Sequence, residues 1–322
     1  MADLRGGIDL GGTKIQAAVV DGHGEVVGKS RHPTPTRGGP ADVAAAMAEA
    51  LREAAAEAGA ETTNLVGVGV GSPGDADERT GVVSSARNLP GWEGSFPLAE
   101  TLAQALGTKV KVGNDVQVAT EAEFHLGAGR EFQSLIGVFW GTGVGGGLVL
   151  DGKPWLGRGA AGEIGHMVVK RGGAECPCGR RGCLEAYAGR SAMEAEARRR
   201  QEEGHETDLF ELMEKHGKPR LTSGIWERAL DHGDKLAEKL IERAVEALGT
   251  GIASAVNLLD PEAVILGGGL GVRFGERLMD PLTAEMSKHL FVDERPPAVR
   301  VASLGDLGGA IGASLLVSRE AA

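Results

Sequence analysis

Two glycine-rich turns, each set between strand-like runs, constrain this chain more than any other feature. The first is Asp9-Leu10-Gly11-Gly12-Thr13-Lys14, flanked by apolar runs at 6–10 and 15–21. The second is Gly141-Thr142-Gly143-Val144-Gly145-Gly146-Gly147, flanked by runs at 134–140 and 146–151. A turn without Cβ atoms lets the main chain come close to a ligand, and successive amides in such a turn form an anion-binding nest. The second turn contains a G-x-G-x-x-G match, but that fingerprint opens a helix in dinucleotide-binding folds. Here it leads into Leu148-Val149-Leu150, a further strand. A P-loop is absent too, since Gly28-Lys29-Ser30 would need glycine at position 23, where His23 stands. What remains is a pair of strand–turn–strand loops about 130 residues apart. Facing each other across a cleft, they suit the phosphates of one nucleotide, and their recurrence hints at an internal duplication. Asp9 is placed to orient a Mg²⁺ through water. A third glycine-rich stretch, 266–271, follows a late strand and is placed to pack on adenine through Gly268 and Gly269.

Around these turns strands and helices alternate. In the first third, 6–10, 15–21 and 25–31 read as strands, and Asp42 as the N-cap of a helix running to about 58. A buried strand at 65–71 ends in the turn Ser72-Pro73-Gly74, and a helix at 98–106 leads to a strand at 109–112. A second unit opens after residue 113. It has a helix at 115–126, the strand pair around the second turn, a loop-rich region at 152–185 and charged helical sequence over 191–250. A long helix at 236–259, strands at 263–266 and 299–303, and a helix at 307–318 complete it. The order predicts an α/β protein of two domains. Residues 1–113, completed by the C-terminal helix at about 307–322, form a small domain; residues 114–306, with a helical insert at about 191–235, form a large one. A length of 322 residues suits that division. The net charge of −11 argues against broad nucleic-acid or anionic-membrane binding. No basic stretch followed by an apolar run opens the chain, and no segment is long enough to span a bilayer, so a cytoplasmic protein is expected.

All three cysteines fall within eight residues, Cys176-Pro-Cys178-Gly-Arg-Arg-Gly-Cys183, ten residues after His166. An odd, clustered set in a glycine-rich loop reads as reduced and metal-bound. Three thiolates and one imidazole suit a closed tetrahedral Zn²⁺ site, structural because it leaves no open position. Glu163 and Glu185 flank this loop and become acceptors for sugar hydroxyls if the metal holds it beside the cleft; otherwise they are solvated surface groups. Asp115, in Gly113-Asn114-Asp115, stands where a strand ends and a helix begins. It reads either as an N-cap or as a base at the ligand edge of an open α/β sheet, accepting a proton from an attacking hydroxyl. Asn114 beside it is placed to bond a neighbouring hydroxyl.

In these motifs, taken in order, the chain resembles the ROK family of bacterial sugar kinases and sugar-responsive repressors. The matching pieces are Asp9-Leu-Gly-Gly-Thr-Lys14, Gly113-Asn114-Asp115, Gly141-Thr-Gly-Val-Gly-Gly146, Glu163-Ile-Gly-His166 and Cys176-Pro-Cys-Gly-Arg-Arg-Gly-Cys-Leu-Glu185. The resemblance implies an actin-like (ribonuclease-H-like) fold of two α/β domains closing over ATP and a hexose. It implies Asp115 as the base for the sugar 6-hydroxyl, with Asn114, Glu163, His166 and Glu185 on the sugar and His166 also on zinc. Asn88 and Gly74 are further pocket candidates. Gly11, Gly12, Thr13, Lys14, Gly141, Thr142, Gly143 and Gly145 fall to the nucleotide phosphates, with Mg²⁺. Glucose is the foremost sugar; N-acetylmannosamine, N-acetylglucosamine, mannose and fructose stay open. Family members form homodimers or homotetramers. The repressors carry a winged helix before the first phosphate turn, and here that turn begins nine residues in. The charged stretch at 194–235 follows no family motif and is expected to add surface helices.

Overall fold

The computed structural model describes residues 3–86 and 89–318. The first half holds β1 (Arg5–Leu10), β2 (Lys14–Val20), β3 (Val26–Pro33), α1 (Pro40–Glu57), β4 (Val68–Ser72), β5 (Asp75–Asp77), β6 (Val82–Ser84), β7 (Ser95–Phe96), α2 (Leu98–Leu106) and β8 (Val110–Asn114). Its main sheet runs β3-β2-β1-β4-β8, antiparallel through the first three strands and parallel from β1 to β4 and β8. Next come α3 (Asp115–Leu126), β9 (Leu135–Trp140), β10 (Val144–Leu150), β11 (Lys153–Pro154), α4 (Glu185–Ala188), α5 (Arg190–Glu202), α6 (Leu209–Lys215), α7 (Ser223–Asp231) and α8 (Lys235–Leu259). The chain closes with β12 (Ala263–Gly267), α9 (Gly268–Ser287), β13 (Ala298–Val301) and α10 (Gly308–Leu315). The second sheet runs β11-β10-β9-β12-β13 with the same pattern of directions. The duplication hinted at by the two turns is therefore a repeat of topology.

Helices cover both faces of the first sheet, α1 on one side and α10 on the other. That is why β2 is buried from Ile15 to Val20 with no alternation of polar residues. Gly7 and Gly69 let α10 settle directly on the backbone, since a Cβ at either would meet a carbonyl oxygen of α10 at 1.9 or 1.7 Å. Helix α3 packs on α10 and on strands of both sheets, so it forms the seam of the molecule. Gln117 fastens it to β10. Its amide Nε2 donates to the Leu148 carbonyl (3.1 Å) while its Oε1 accepts the Leu148 N–H (3.0 Å).

Several elements depart from the sequence expectation. Asp42 is the third residue of α1 and not its cap: Gly39 is the cap, Pro40 opens the helix, and the Asp42 carboxylate accepts the Gly39 N–H at 2.9 Å. Proline fits there because the first helical N–H has no partner inside the helix. The β5–β6–β7 sheet, with strands of two or three residues, is too short to leave a periodic signal. Helix α9 is twenty residues long yet carries four glycines and Pro281, which weaken any helical reading. The 191–235 stretch is more than surface: Trp226, Leu209, Leu221 and Ile225 are fully buried in the larger core.

Candidate active site

A cavity of about 580 Å³ opens between the sheets. Asp9 and Lys14 line it from the first sheet, Phe139 from the second, Asp115 from α3, Gly268, Gly269 and Arg273 from α9, and Asp306 from the turn before α10. Asp9 lies beside Gly71, and Ser72 beside Asn114, in the parallel ladder. The site thus sits at the carboxyl ends of parallel strands, where open α/β sheets bind ligands.

Its electrostatics are set by buried acids. Burial pushes the Asp115 carboxyl up to about 7, and the charges of Asp9 and Glu163 add to the rise. Burial likewise lifts Asp9 to about 6; Lys14 opposes the shift and Asp306 adds to it. Both side chains still open onto the cavity, so a cation or a proton from a ligand can reach them. Asp115 does not cap its helix. Asn114 does, its Oδ1 accepting the N–H groups of Val116 and Gln117 at 3.0 Å each. Asp115 takes the first helical position, with one oxygen on the Val116 N–H at 2.9 Å. The cap therefore falls to the neutral amide, and the acid is left facing the cavity.

The two turns differ in what holds them. In the first, the Gly11 N–H closes onto the Lys14 carbonyl at 2.9 Å, and Gly12 and Thr13 stand exposed at the tip. Lys14 pairs with Asp306 at 3.5 Å across the cavity mouth. In the second, the turn proper is Gly141-Thr142-Gly143, because β10 already begins at Val144. Gly145 lies within that strand, where the Val116 side chain fills the space a Cβ would take. The start of α5 docks on this turn. The N–H groups of Arg190 and Ser191 donate to the carbonyls of Gly141 and Thr142 (3.1 and 3.0 Å), and the Arg190 guanidinium donates to the Thr142 hydroxyl at 2.8 Å.

His166, Cys176, Cys178 and Cys183 converge, their ligand atoms all within 4.8 Å of one another. Cys178 and Cys183 Sγ are 3.8 Å apart, and Cys176 Sγ lies 3.9 Å from His166 Nδ1. A tetrahedron with metal–sulfur bonds of about 2.3 Å has edges of about 3.8 Å, so the donor set fits such an ion. His166 turns Nδ1 to the cysteines and Nε2 towards Glu163, 3.8 Å away. Glu185, two residues past Cys183, accepts the Val144 N–H at 2.9 Å and so is fixed against the second turn. Gly74 lies in the β4–β5 turn at φ +86°, backed by Ser84 and Ala86; like Asn114, Glu163, His166 and Glu185, it is not among the residues lining the cavity. Asn88 lies outside the described residues.

Sequence reasoning passed over four polar or charged lining residues: Ser223 and Glu227 on α7, Arg273 on α9, and Asp306. Glu227 and Arg273 pair at 2.6 Å, and Asp231 and Arg277 at 2.7 Å, zipping α7 to α9. Only Asp306 carried a signal, its Gly305-Asp306-Leu307-Gly308-Gly309 setting repeating the glycine-rich character of the other phosphate turns.

Two sheets of repeated order, joined by a seam helix over a cavity at their parallel-strand ends, make this a protein of the actin-like α/β fold. The chain belongs to the ROK family, whose model matches residues 5–320. A glucokinase of Halalkalibacterium halodurans is 34% identical over 317 residues, covering 98% of this chain and 94% of the relative. An N-acetyl-D-glucosamine kinase of Erwinia tasmaniensis is 32% identical over 321 residues, covering 96% and 98%. Among solved structures, a ROK family glucokinase from Streptomyces griseus in complex with glucose and AMPPNP superposes with a TM-score of 0.83 at 33% identity, covering 97% of this chain and 98% of that one.

Proposed function

We propose that the chain transfers the γ-phosphoryl group of ATP to the 6-hydroxyl of a hexose, glucose foremost. The observation that carries this reading is Asp115, an acid lifted to about 7 that opens onto the same cavity as Asp9, Lys14 and the α9 glycines. Asp115 takes the proton of the sugar hydroxyl as its oxygen bonds to phosphorus and the bond to ADP breaks. A base titrating near neutrality is suited to that proton transfer. Lys14 and the amides of the Gly11–Gly12–Thr13 tip receive phosphate oxygens. Asp9 would hold, through water, the Mg²⁺ that arrives with ATP and offsets phosphate charge. Gly268 and Gly269 open α9, and its amide end and flat backbone suit the nucleotide. Gly141, Thr142 and Gly143 are proposed to receive phosphate oxygens from the second turn, although Phe139 is the residue of that hairpin that lines the cavity.

Asn114, Glu163, His166 and Glu185 are the proposed sugar contacts. Zn²⁺ is the proposed ion of the Cys₃His cluster; when bound it would fix the loop that carries Glu163, His166 and Glu185, with no step in the chemistry. Residues 1–113 with 307–322, and 114–306, are proposed as the small and large domains; the packing of α10 on β1 and β4 supports the return of the C-terminus to the first. A cytoplasmic homodimer or homotetramer feeding glucose into glycolysis completes the reading. No described helix is long and apolar enough to cross a membrane. An N-acetylhexosamine substrate is the second reading, favoured by the Erwinia tasmaniensis relative.

The test is a coupled ADP-release assay over glucose, mannose, fructose and the N-acetylhexosamines, with Asp115→Ala alongside. Turnover is expected with glucose, and the variant is expected to lose about 10²–10⁴-fold in kcat, the usual weight of a general base. Turnover with no hexose removes the kinase reading. Near-normal turnover by Asp115→Ala removes the base assignment alone.

A further inference from the structure

Glu123 lies on α3 two turns beyond Asp115 and is 3% exposed. A buried carboxylate is costly unless hydrogen bonds satisfy it, and this one is saturated. Its Oε2 accepts the N–H of Ala128 (2.9 Å), the N–H of Ser303 (3.0 Å) and the Ser303 hydroxyl (3.3 Å). Its Oε1 accepts the N–H of Leu304 at 2.9 Å. Ala128 closes the end of α3, while Ser303 and Leu304 are about 180 residues away in sequence. Room for this carboxylate is made by Gly127, where a Cβ would sit 2.0 Å from Oε2. The segment it grips runs straight into the cavity wall: Gly305, Asp306 and Gly309 line the cavity. Asp306 pairs with Lys14, and Gly309 lies so close to Asp9 that a Cβ there would come within 2.7 Å of its carboxyl carbon.

We infer that Glu123 is a positioning residue that fixes the base-bearing helix α3 against the 303–309 wall of the phosphate cavity. One end of α3 presents Asp115; the other is bonded through Glu123 to the strap carrying Asp306 and backing Asp9. The carboxylate thereby sets the offset between the base and the phosphates, touching neither. This inference rests on the reading of the cavity as a phosphoryl-transfer site. A carboxylate offers acceptors on both oxygens. An amide of the same shape must turn its NH₂ towards at least one backbone N–H, so part of the strap loses its anchor.

The experiment compares E123Q and G127A with the wild type, reading kcat, KM for MgATP, KM for the hexose, MgADP affinity, melting temperature and amide exchange at 303–304. For both variants we expect kcat about tenfold lower, as a small misplacement of reacting groups produces, and MgADP bound about fivefold more weakly by the loosened strap. The hexose KM should stay within twofold, and exchange at 303–304 should quicken. Folded variants with kcat and MgADP affinity both within twofold of the wild type overturn the inference. So does a variant whose only change is a lower melting temperature, the mark of a purely structural role. If E123Q fails to fold, G127A decides on the same readouts. A wild type that phosphorylates no hexose defeats the functional reading, and MgADP affinity together with exchange at 303–304 still decides the clamp.

Discussion

The two β-hairpins that carry the glycine turns share one topology and have been put to different uses. The β1–β2 turn ends in exposed Gly12 and Thr13, with Lys14 paired to Asp306 and its charge acting on Asp9, contacts that a phosphate can displace. The β9–β10 turn is bonded to the start of α5 through two carbonyls and the Thr142 hydroxyl, and Glu185 ties its far side to the metal loop. One hairpin is free to meet a mobile anion; the other has become a fixed post. A repeated sheet topology thus supplies two similar scaffolds, and the segments inserted after the second hairpin bond that turn to the rest of the domain. The loop at 152–185 has no counterpart after β3, where the chain passes directly to α1.

The sharpest way to break this contrast is to release the post. Cys176→Ala is expected to lose the bound ion, read as about one zinc per chain in the wild type, and to raise the hexose KM about 10–100-fold, the usual cost of losing the support around a site. An unchanged hexose KM in metal-free protein would separate the loop from the sugar. Next comes the pair Lys14→Ala and Thr142→Ala. The first should raise KM for MgATP about tenfold by removing a charge-assisted phosphate contact; the second, which loses one exposed hydrogen bond to Arg190, should change it about twofold or less. Equal effects would mean that both turns meet the phosphates alike.

The smallest effect concerns the seam. Asp115 titrates at about 7 in the folded protein against 3.8 for the free side chain. Folding therefore takes up a proton between these values, and the stability this group contributes is present below pH 3.8 and lost as pH rises through about 7. Asp115→Asn should melt higher than the wild type at pH 8 by about 1 kcal/mol, once the open side of the cavity is discounted. At pH 4 the two should match. Loss of the difference in Asp9→Asn would place the strain in the repulsion between the two acids. In the wild type, turnover should fall as pH drops through about 7, because the base is then protonated.

Much of this architecture was legible because it rests on local chemistry. Helices α2 and α3 fall at the residues the sequence marks, 98–106 and 115–126, and the long helix α8 follows its apolar periodicity; the Cys₃His set follows from spacing alone. The site was legible only in pieces. Asp115 reads equally as a cap until the structure gives that duty to Asn114, since both side chains can accept a helix N–H. Glu123 reads as one more charged residue on a helix, because its partners are Ser303 and Leu304 and backbone donors leave no mark in sequence. The same holds for Ser223 and Glu227, which sit in a stretch whose charge suggests a solvated face while Trp226 beside them is wholly buried.

The seating of α10 on Gly7 and Gly69 has a consequence for how the molecule comes off the ribosome. One face of the first sheet waits for a lid encoded about 200 residues after the last strand of that sheet, β8. At about 5–20 residues per second that is roughly 10–40 s of synthesis. Throughout that interval the part of this face on β1 and β2 that α10 will cover has only α3 beside it, packed against β4. Faster elongation past β8 shortens that exposure and so lowers the opportunity for aggregation.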